Sequence, residues 1–236
     1  MQQTELDALR KACLYSLPPN QLGYCGPKQS WQSFQEFLST PSDALVPKTK
    51  GLLSEFYAMF PYLELIAEAN SLEPFSQEVI EAYWVGNSLL ENIPHSKTQE
   101  TILSFAKHGM PKSIAERKAS GLPQGLLPHH SMHVLYVNFI NPDVKPLVQN
   151  LSSCLIQWAE VKSLSKKGVE VKGIELISES GELKLREKIK TVQNQFSLGL
   201  KPKDLITVHW NSAIESISKD SLKNLKKFTD RTLAGI

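Results

Sequence analysis

An α+β fold is predicted: a mainly helical domain over residues 1–150, then a small OB-type β-barrel with a C-terminal helix over residues 151–236. Three observations carry this. Apolar residues recur at helical spacing through roughly the first half of the chain. After Cys154 the spacing changes to two. Lys167-Gly168 and Ser180-Gly181 then punctuate short alternating runs, as turns between strands do.

Taken in order, TELDALRKACLYSL carries Leu6, Leu9, Ala12, Cys13 and Leu17 on one helical stripe, with Cys13 as inert core, and Pro18-Pro19 is expected to end that helix. SWQSFQEFL groups Trp31, Phe34, Phe37 and Leu38. A longer pattern from Lys48 to Asn70 is restarted or kinked at Pro61. Ser76 is placed to cap SQEVIEAYWVGNSLLENI, in which Gly86 is expected to weaken the middle and admit another backbone. TQETILSFAKHGM follows, closed by Gly109 and Pro111. HVLYVNFI reads as a buried strand ended by Asn141-Pro142-Asp143, and VKPLVQNLSS as a helix leaving Cys154 at a helix-to-strand junction. LIQWAEVKSL, VEVKGIELI, LKLREKIKTV and LITVHW are the expected strands. Ser218 caps a last amphipathic helix with Leu222, Leu225, Phe228 and Leu233 inward.

Composition narrows the function. The 236 residues include 26 Lys+Arg and 24 Asp+Glu, a net charge of +2, which argues against a general role on nucleic acid or a membrane surface. The lysines gather late in the chain, as a solvated surface or a docking face for an acidic partner. No basic-then-apolar leader and no apolar run near the ~20 residues of a bilayer span are seen, and three widely spaced cysteines suit a reducing compartment, so a cytoplasmic protein is expected.

Three places concentrate chemistry. In NQLGYCGP the glycines expose backbone N–H groups around Cys25, and a helix start just beyond it is expected to lower the thiol pKa; the reading is a thiolate nucleophile or metal ligand, or else a tight turn whose Cys fills a small pocket. In PHHSMH, His129, His130 and His133 offer two nitrogens to one ion, on a helix through His129 and His133 or on an extended segment through the same pair, unless His133 is a satisfied core residue. The third place is Cys154 together with His209 in LITVHWNSA. Glu64 and Glu68 lack the Glu-x-x-His pairs of a di-iron site, and there is no nucleotide-binding or nucleophile-elbow motif.

From Cys154 onward, CLIQWAEVKSL followed by LKPKDLITVHWNSAIESISKDSLKNLKKF resembles the HypC-type chaperones of [NiFe]-hydrogenase maturation over roughly residues 154–230. Those proteins begin with a cysteine after the initiator methionine, continue as a short barrel, and carry a "GD-x-V-x-VH-x-G-x-A" strand before a helix. Asp204, Val208-His209 and Ala213 match that strand. The resemblance implies a HypC-like barrel in which Cys154 ligates an iron bearing cyanide and carbonyl, with His209 beside it. It further implies a maturation scaffold protein and the hydrogenase large-subunit precursor as partners. The chain departs from the pattern where Cys154 is internal, where Gln157-Trp158-Ala159 replaces prolines and glycines, and where Trp210-Asn211-Ser212 follows His209. The segments YCGP, EAYWVGN and PHHSMHV are similar to an uncharacterised bacterial family associated with hydrogenases.

The leading expectation is therefore a maturation factor for [NiFe] hydrogenase, with Cys25, His129, His130, His133 and Cys154 as candidate iron ligands. The alternative is a thiol hydrolase. Cys25 with Gln21 ahead of it resembles the papain-like enzymes, which implies His133 as base and Asn141 or Asp143 as orienting group. A third reading is a non-catalytic protein-interaction module.

Overall fold

The computed structural model describes residues 3–138 and 144–236. Helices α1 (Gln3–Gln21), α2 (Trp31–Ser39), α3 (Val46–Ser54), α4 (Phe60–Asn70), α5 (Gln77–Trp84), α6 (His95–Ser104) and α7 (Lys112–Ser120) form the first part. A three-residue helix α8 (His130–Met132) runs into a π-helical turn over His133–Val137, and α9 (Val148–Cys154) leads to the sheet. Strands β1 (Gln157–Ser165), β2 (Gly168–Glu179), β3 (Glu182–Val192), β4 (Leu205–His209) and β5 (Ser212–Ser216) precede α10 (Lys219–Ala234). The fold is α+β, as expected.

The five strands make an antiparallel open sheet in the order β3-β2-β1-β4-β5. Ser180 (φ +55°) and Gly181 (φ +88°) turn β2 into β3, and Trp210 (φ +46°) and Asn211 (φ +61°) turn β4 into β5. Both pairs have the two left-handed residues that a tight hairpin connection requires. One bridge, Gln193 to Ser212, brings the end of β3 across to the start of β5.

One buried cluster spans helices and sheet, and the sheet also has a cluster of its own around Val161, Val171 and Ile206. The main buried cluster runs from Leu9 and Tyr15 on α1 through Tyr62, Tyr83 and Trp84 to Ile156, Ile214, Leu225 and Phe228. A polar seam joins α1 to the sheet: Tyr15 Oη donates to Glu215 at 2.7 Å and lies 2.9 Å from Thr207 Oγ1, while Lys11 pairs with Glu81 and Glu215. The C-terminal helix is capped as expected, Ser218 Oγ accepting the Ser221 N–H at 3.0 Å.

Several local expectations are corrected. Pro18 and Pro19 lie inside α1, which continues to Gln21. The described part of HVLYVNFI is not a strand: residues 133–137 are π-helical, with the Asn138 N–H reaching back to the His133 carbonyl at 2.7 Å, and the expected end at Asn141-Pro142-Asp143 lies outside the described residues. A fully buried β-branched run looks the same from sequence whether it is strand or tight helix. Gly86 follows the end of α5 rather than sitting mid-helix, at φ +97°, and a Cβ there would meet the Phe228 ring at 2.1 Å; its neighbour is a side chain of α10, not another backbone. Among the described residues no helix is long and apolar enough to cross a membrane.

Candidate metal centre

Side chains from five segments converge on one cavity of about 310 Å³. Cys25 comes from the turn after α1, Trp84 from the end of α5, His130 and His133 from α8 and its π-turn, Cys154 from the end of α9, and His209 with Trp210 from the end of β4.

The Cys25 turn is built by local backbone demands. Gly23 and Gly26 take φ +72° and +77°, and a side chain at 26 would strike the Phe56 ring at 2.2 Å. Buried Asn20 holds the loop: its Nδ2 donates to the Cys25 and Pro27 carbonyls at 2.8 Å each, and its Oδ1 accepts the Trp31 N–H at 2.7 Å. The expected helix start beside Cys25 is absent, since α2 begins only at Trp31. Burial wins over any dipole effect and pushes the Cys25 thiol up to about 12.

The three histidines of PHHSMH separate. His129 caps α8, its Nδ1 accepting the Ser131 N–H at 3.2 Å and lying 2.7 Å from Ser131 Oγ. Its ring stacks on Phe228, with centroids 5.6 Å apart, and it does not line the cavity. The expectation of His129 as a ligand is thereby corrected: its nitrogen serves the local backbone. His130 and His133 do line the cavity. His133 Nδ1 is 3.2 Å from Tyr62 Oη, with Tyr62 and Phe105 packed edge-on against the ring. His130 is enclosed by the rings of Trp84, Tyr83 and His209 at centroid distances of 4.7, 5.5 and 5.5 Å, and its buried Nδ1 has no hydrogen-bond partner.

His209 is oriented from the far side. Its Nδ1 lies 2.8 Å from the Tyr15 carbonyl oxygen. The Cys154 carbonyl also faces the ring, but Nε2 is buried and makes no well-formed hydrogen bond, so the 2.8 Å bond to the accepting Tyr15 carbonyl assigns the proton to Nδ1 and leaves the lone pair on Nε2. The hairpin turn after His209 is fastened over α9 by the Trp210 N–H, which donates to the Ser153 carbonyl at 2.8 Å. This fastening holds His209 and Trp210 beside half-buried Cys154.

The ligand atoms of His130, Cys154 and His209 all lie within 4.8 Å of one another. Atoms bound to one transition metal at 2.0–2.3 Å stand about 3.3–4.6 Å apart, so the group is pre-formed to within about 1 Å. Cys25 faces the same cavity and is electrostatically coupled to Cys154. Burial drives the His209 and His133 pKa values down to about 4, and also holds that of His130 well below its ordinary range, with help from the neighbouring imidazoles. Burial also raises the Cys154 thiol, with the nearby Cys25 adding to it. At neutral pH the cavity therefore holds neutral imidazoles with usable lone pairs and protonated thiols. A divalent cation bound by two thiolates satisfies both demands, because the ensemble carries no net charge.

The sequence missed the indoles. Trp84 Nε1 is buried without a hydrogen-bond partner, the Trp210 indole N–H faces the Cys154 thiol, whose pKa it works to lower, and both residues line the cavity. The local signal for Trp210 was its place directly after His209. For Trp84 there was none beyond its segment EAYWVGN. Tyr57 and His108 stack at 4.1 Å on the cavity wall, far from each other in sequence. Asn141 and Asp143, expected to orient His133 in a hydrolase, lie outside the described residues.

No curated protein and no solved structure matches the chain. A family model described as DUF6390, a family of unknown function, matches residues 9–236, a span that contains every segment of the cavity. The chain belongs to that family.

Proposed function

We propose that this protein is an accessory factor of [NiFe]-hydrogenase maturation that binds or delivers the iron fragment with its cyanide and carbonyl ligands. The observation that carries the reading is the buried group His130, Cys154 and His209, with ligand atoms within 4.8 Å. Cys25, which lines the same cavity, would supply a second thiolate. Soft sulfur and imidazole suit low-spin iron better than magnesium or calcium, which favour oxygen. The iron is cargo, received and passed on.

Two further features support the reading. The cavity is far larger than a bare ion needs. The Trp84 N–H cannot ligate a cation, but it can donate to an acceptor atom carried by a metal-bound ligand, such as a cyanide nitrogen, while the Trp210 N–H faces the Cys154 sulfur and favours its thiolate. The sheet is read in the same proposal as a HypC-like, OB-type module. Cys154 heads it just before β1, the Gln193–Ser212 bridge starts to close it, and Trp210-Asn211 takes left-handed backbone where the HypC-type motif carries glycine. The partners on this reading are a maturation scaffold protein and the hydrogenase large-subunit precursor, met in the cytoplasm.

The test is anaerobic co-expression with hydrogenase maturation partners, followed by purification and infrared spectroscopy. Bound iron with cyanide and carbonyl stretches is the expected result. Iron-free protein, together with wild-type hydrogenase activity in a deletion strain, overturns the reading. The hydrolase alternative has weaker geometry. The His133 Nδ1 is committed to Tyr62, and the Cys25 thiol, at about 12, is not an activated nucleophile. If the protein were an interaction module alone, a variant lacking Cys25, Cys154, His130 and His209 would still support maturation.

A further inference from the structure

The tautomer of His209 depends on a missing hydrogen elsewhere in the chain. In an α-helix the carbonyl of residue i accepts the N–H of residue i+4. In α1 the residue four beyond Tyr15 is Pro19, which has no N–H. The helix nonetheless runs on to Gln21, so the Tyr15 carbonyl is left without its helical donor in a buried place. A buried carbonyl without a partner is costly, and His209 Nδ1–H fills that vacancy at 2.8 Å. We infer that Pro19 is a positioning residue for the metal centre: by withholding its amide hydrogen it frees the Tyr15 carbonyl to fix His209 with Nε2 facing the cavity. Pro18 has the same effect on the Leu14 carbonyl, which makes no contact with the centre. The pair thus contains its own control.

The inference rests on the metal reading for its consequence but not for its geometry. The Tyr15 ring is independently pinned by Thr207, Glu215 and a stack on Trp84 with centroids 4.8 Å apart, so the carbonyl cannot readily turn away. An alanine or valine at 19 restores the amide and returns the carbonyl to its helical partner. His209 then loses the bond that selects its tautomer. Outer partners of this kind are worth about 10–100-fold in metal affinity.

The experiment has two arms. In the first, the metal-free full-length protein is labelled with 15N-histidine, and the His209 tautomer is read by long-range proton–nitrogen correlation. Wild type is expected as Nδ1–H, as is P18A, whereas P19A and P19V populate Nε2–H. In the second, Co²⁺ affinity is measured by titrating the thiolate-to-metal absorption. P19A and P19V are expected to bind about 10-fold more weakly than wild type and P18A. Because alanine and valine differ in bulk but share the restored amide, equal losses separate the hydrogen bond from cavity shape. Nε2–H in the wild type overturns the inference, even if no variant folds. Unchanged tautomer and affinity in P19A overturn it too. Failure of wild type to bind Co²⁺ sinks the metal reading instead, while the tautomer arm still decides the role of Pro19.

Discussion

His129 and His130 are adjacent, equally buried, and put to opposite uses. On one side of α8, His129 nitrogen bonds the Ser131 N–H, Ser131 Oγ lies 2.9 Å from Thr232 Oγ1, and Phe228 closes the corner. On the other side, His130 is walled by rings, with its Nδ1 unpartnered, beside His209 and Cys154. The first corner commits the His129 Nδ1 and the Ser131 hydroxyl to its own backbone and to the C-terminal helix. Burial does not distinguish the two, and each ring keeps one nitrogen without a well-formed hydrogen bond. What differs is the company: His130 stands with the ligand atoms of Cys154 and His209, and His129 does not.

Acid should expose the contrast most strongly. Each imidazole has a folded-state pKa below its ordinary 6.5: about 3 for His129, about 4 for His133 and His209, and lower than ordinary for His130. Between pH 6.5 and about 4 the unfolded chain binds more protons than the folded one. Stability is thus complete above 6.5 and falls with pH, by about 1.4 kcal/mol per pH unit for each such group. Several kcal/mol should be lost over that window in metal-free protein, measured by urea unfolding at stepped pH. Bound Co²⁺ should steepen this dependence rather than flatten it, because it holds His130 and His209 unprotonated and displaces the thiol protons, so the folded state binds still fewer protons than the unfolded chain. At the other end, the raised Cys25 thiol implies loss of stability as pH rises through about 9, the unfolded value.

Next in size, C154A or H209A should weaken Co²⁺ binding by about 100-fold or more, beyond the range of an outer partner. H129L should leave affinity within about 3-fold, and equal losses in all three would erase the distinction drawn between the corners. H129L should instead cost about 1–2 kcal/mol of stability, for the lost cap and the stranded Ser131 hydroxyl. Smallest is E91Q, which removes the exposed pairs with Lys227 and Arg231 on α10; a shift within about 0.5 kcal/mol is expected on thermal unfolding.

The readable and unreadable parts of the sequence divide along the same line. Strands β1 to β4 followed from alternation and turn residues, and the cap of α10 from Ser218. These are signals within ten residues of the structure they specify. The segment 133–137 misled because a run buried on all sides has no period to read. Pro18-Pro19 misled because the helix tolerates both, and the Tyr15 carbonyl left open by Pro19 finds its partner far along the chain, in His209. The sulfurs and imidazoles that line the cavity were visible as residue types. Nothing local could separate His129 from His130, or raise rather than lower the Cys25 thiol, because both follow from what packs around them.

The cavity draws Cys25, His130, Cys154 and His209 from segments scattered over most of the chain. Each of these stretches brings only one or two of the side chains, so under the proposed function a bound ion would be retained only by a chain folded from Cys25 to His209. A nick or a truncation between them would be expected to release it, which would make occupancy a readout of an intact chain.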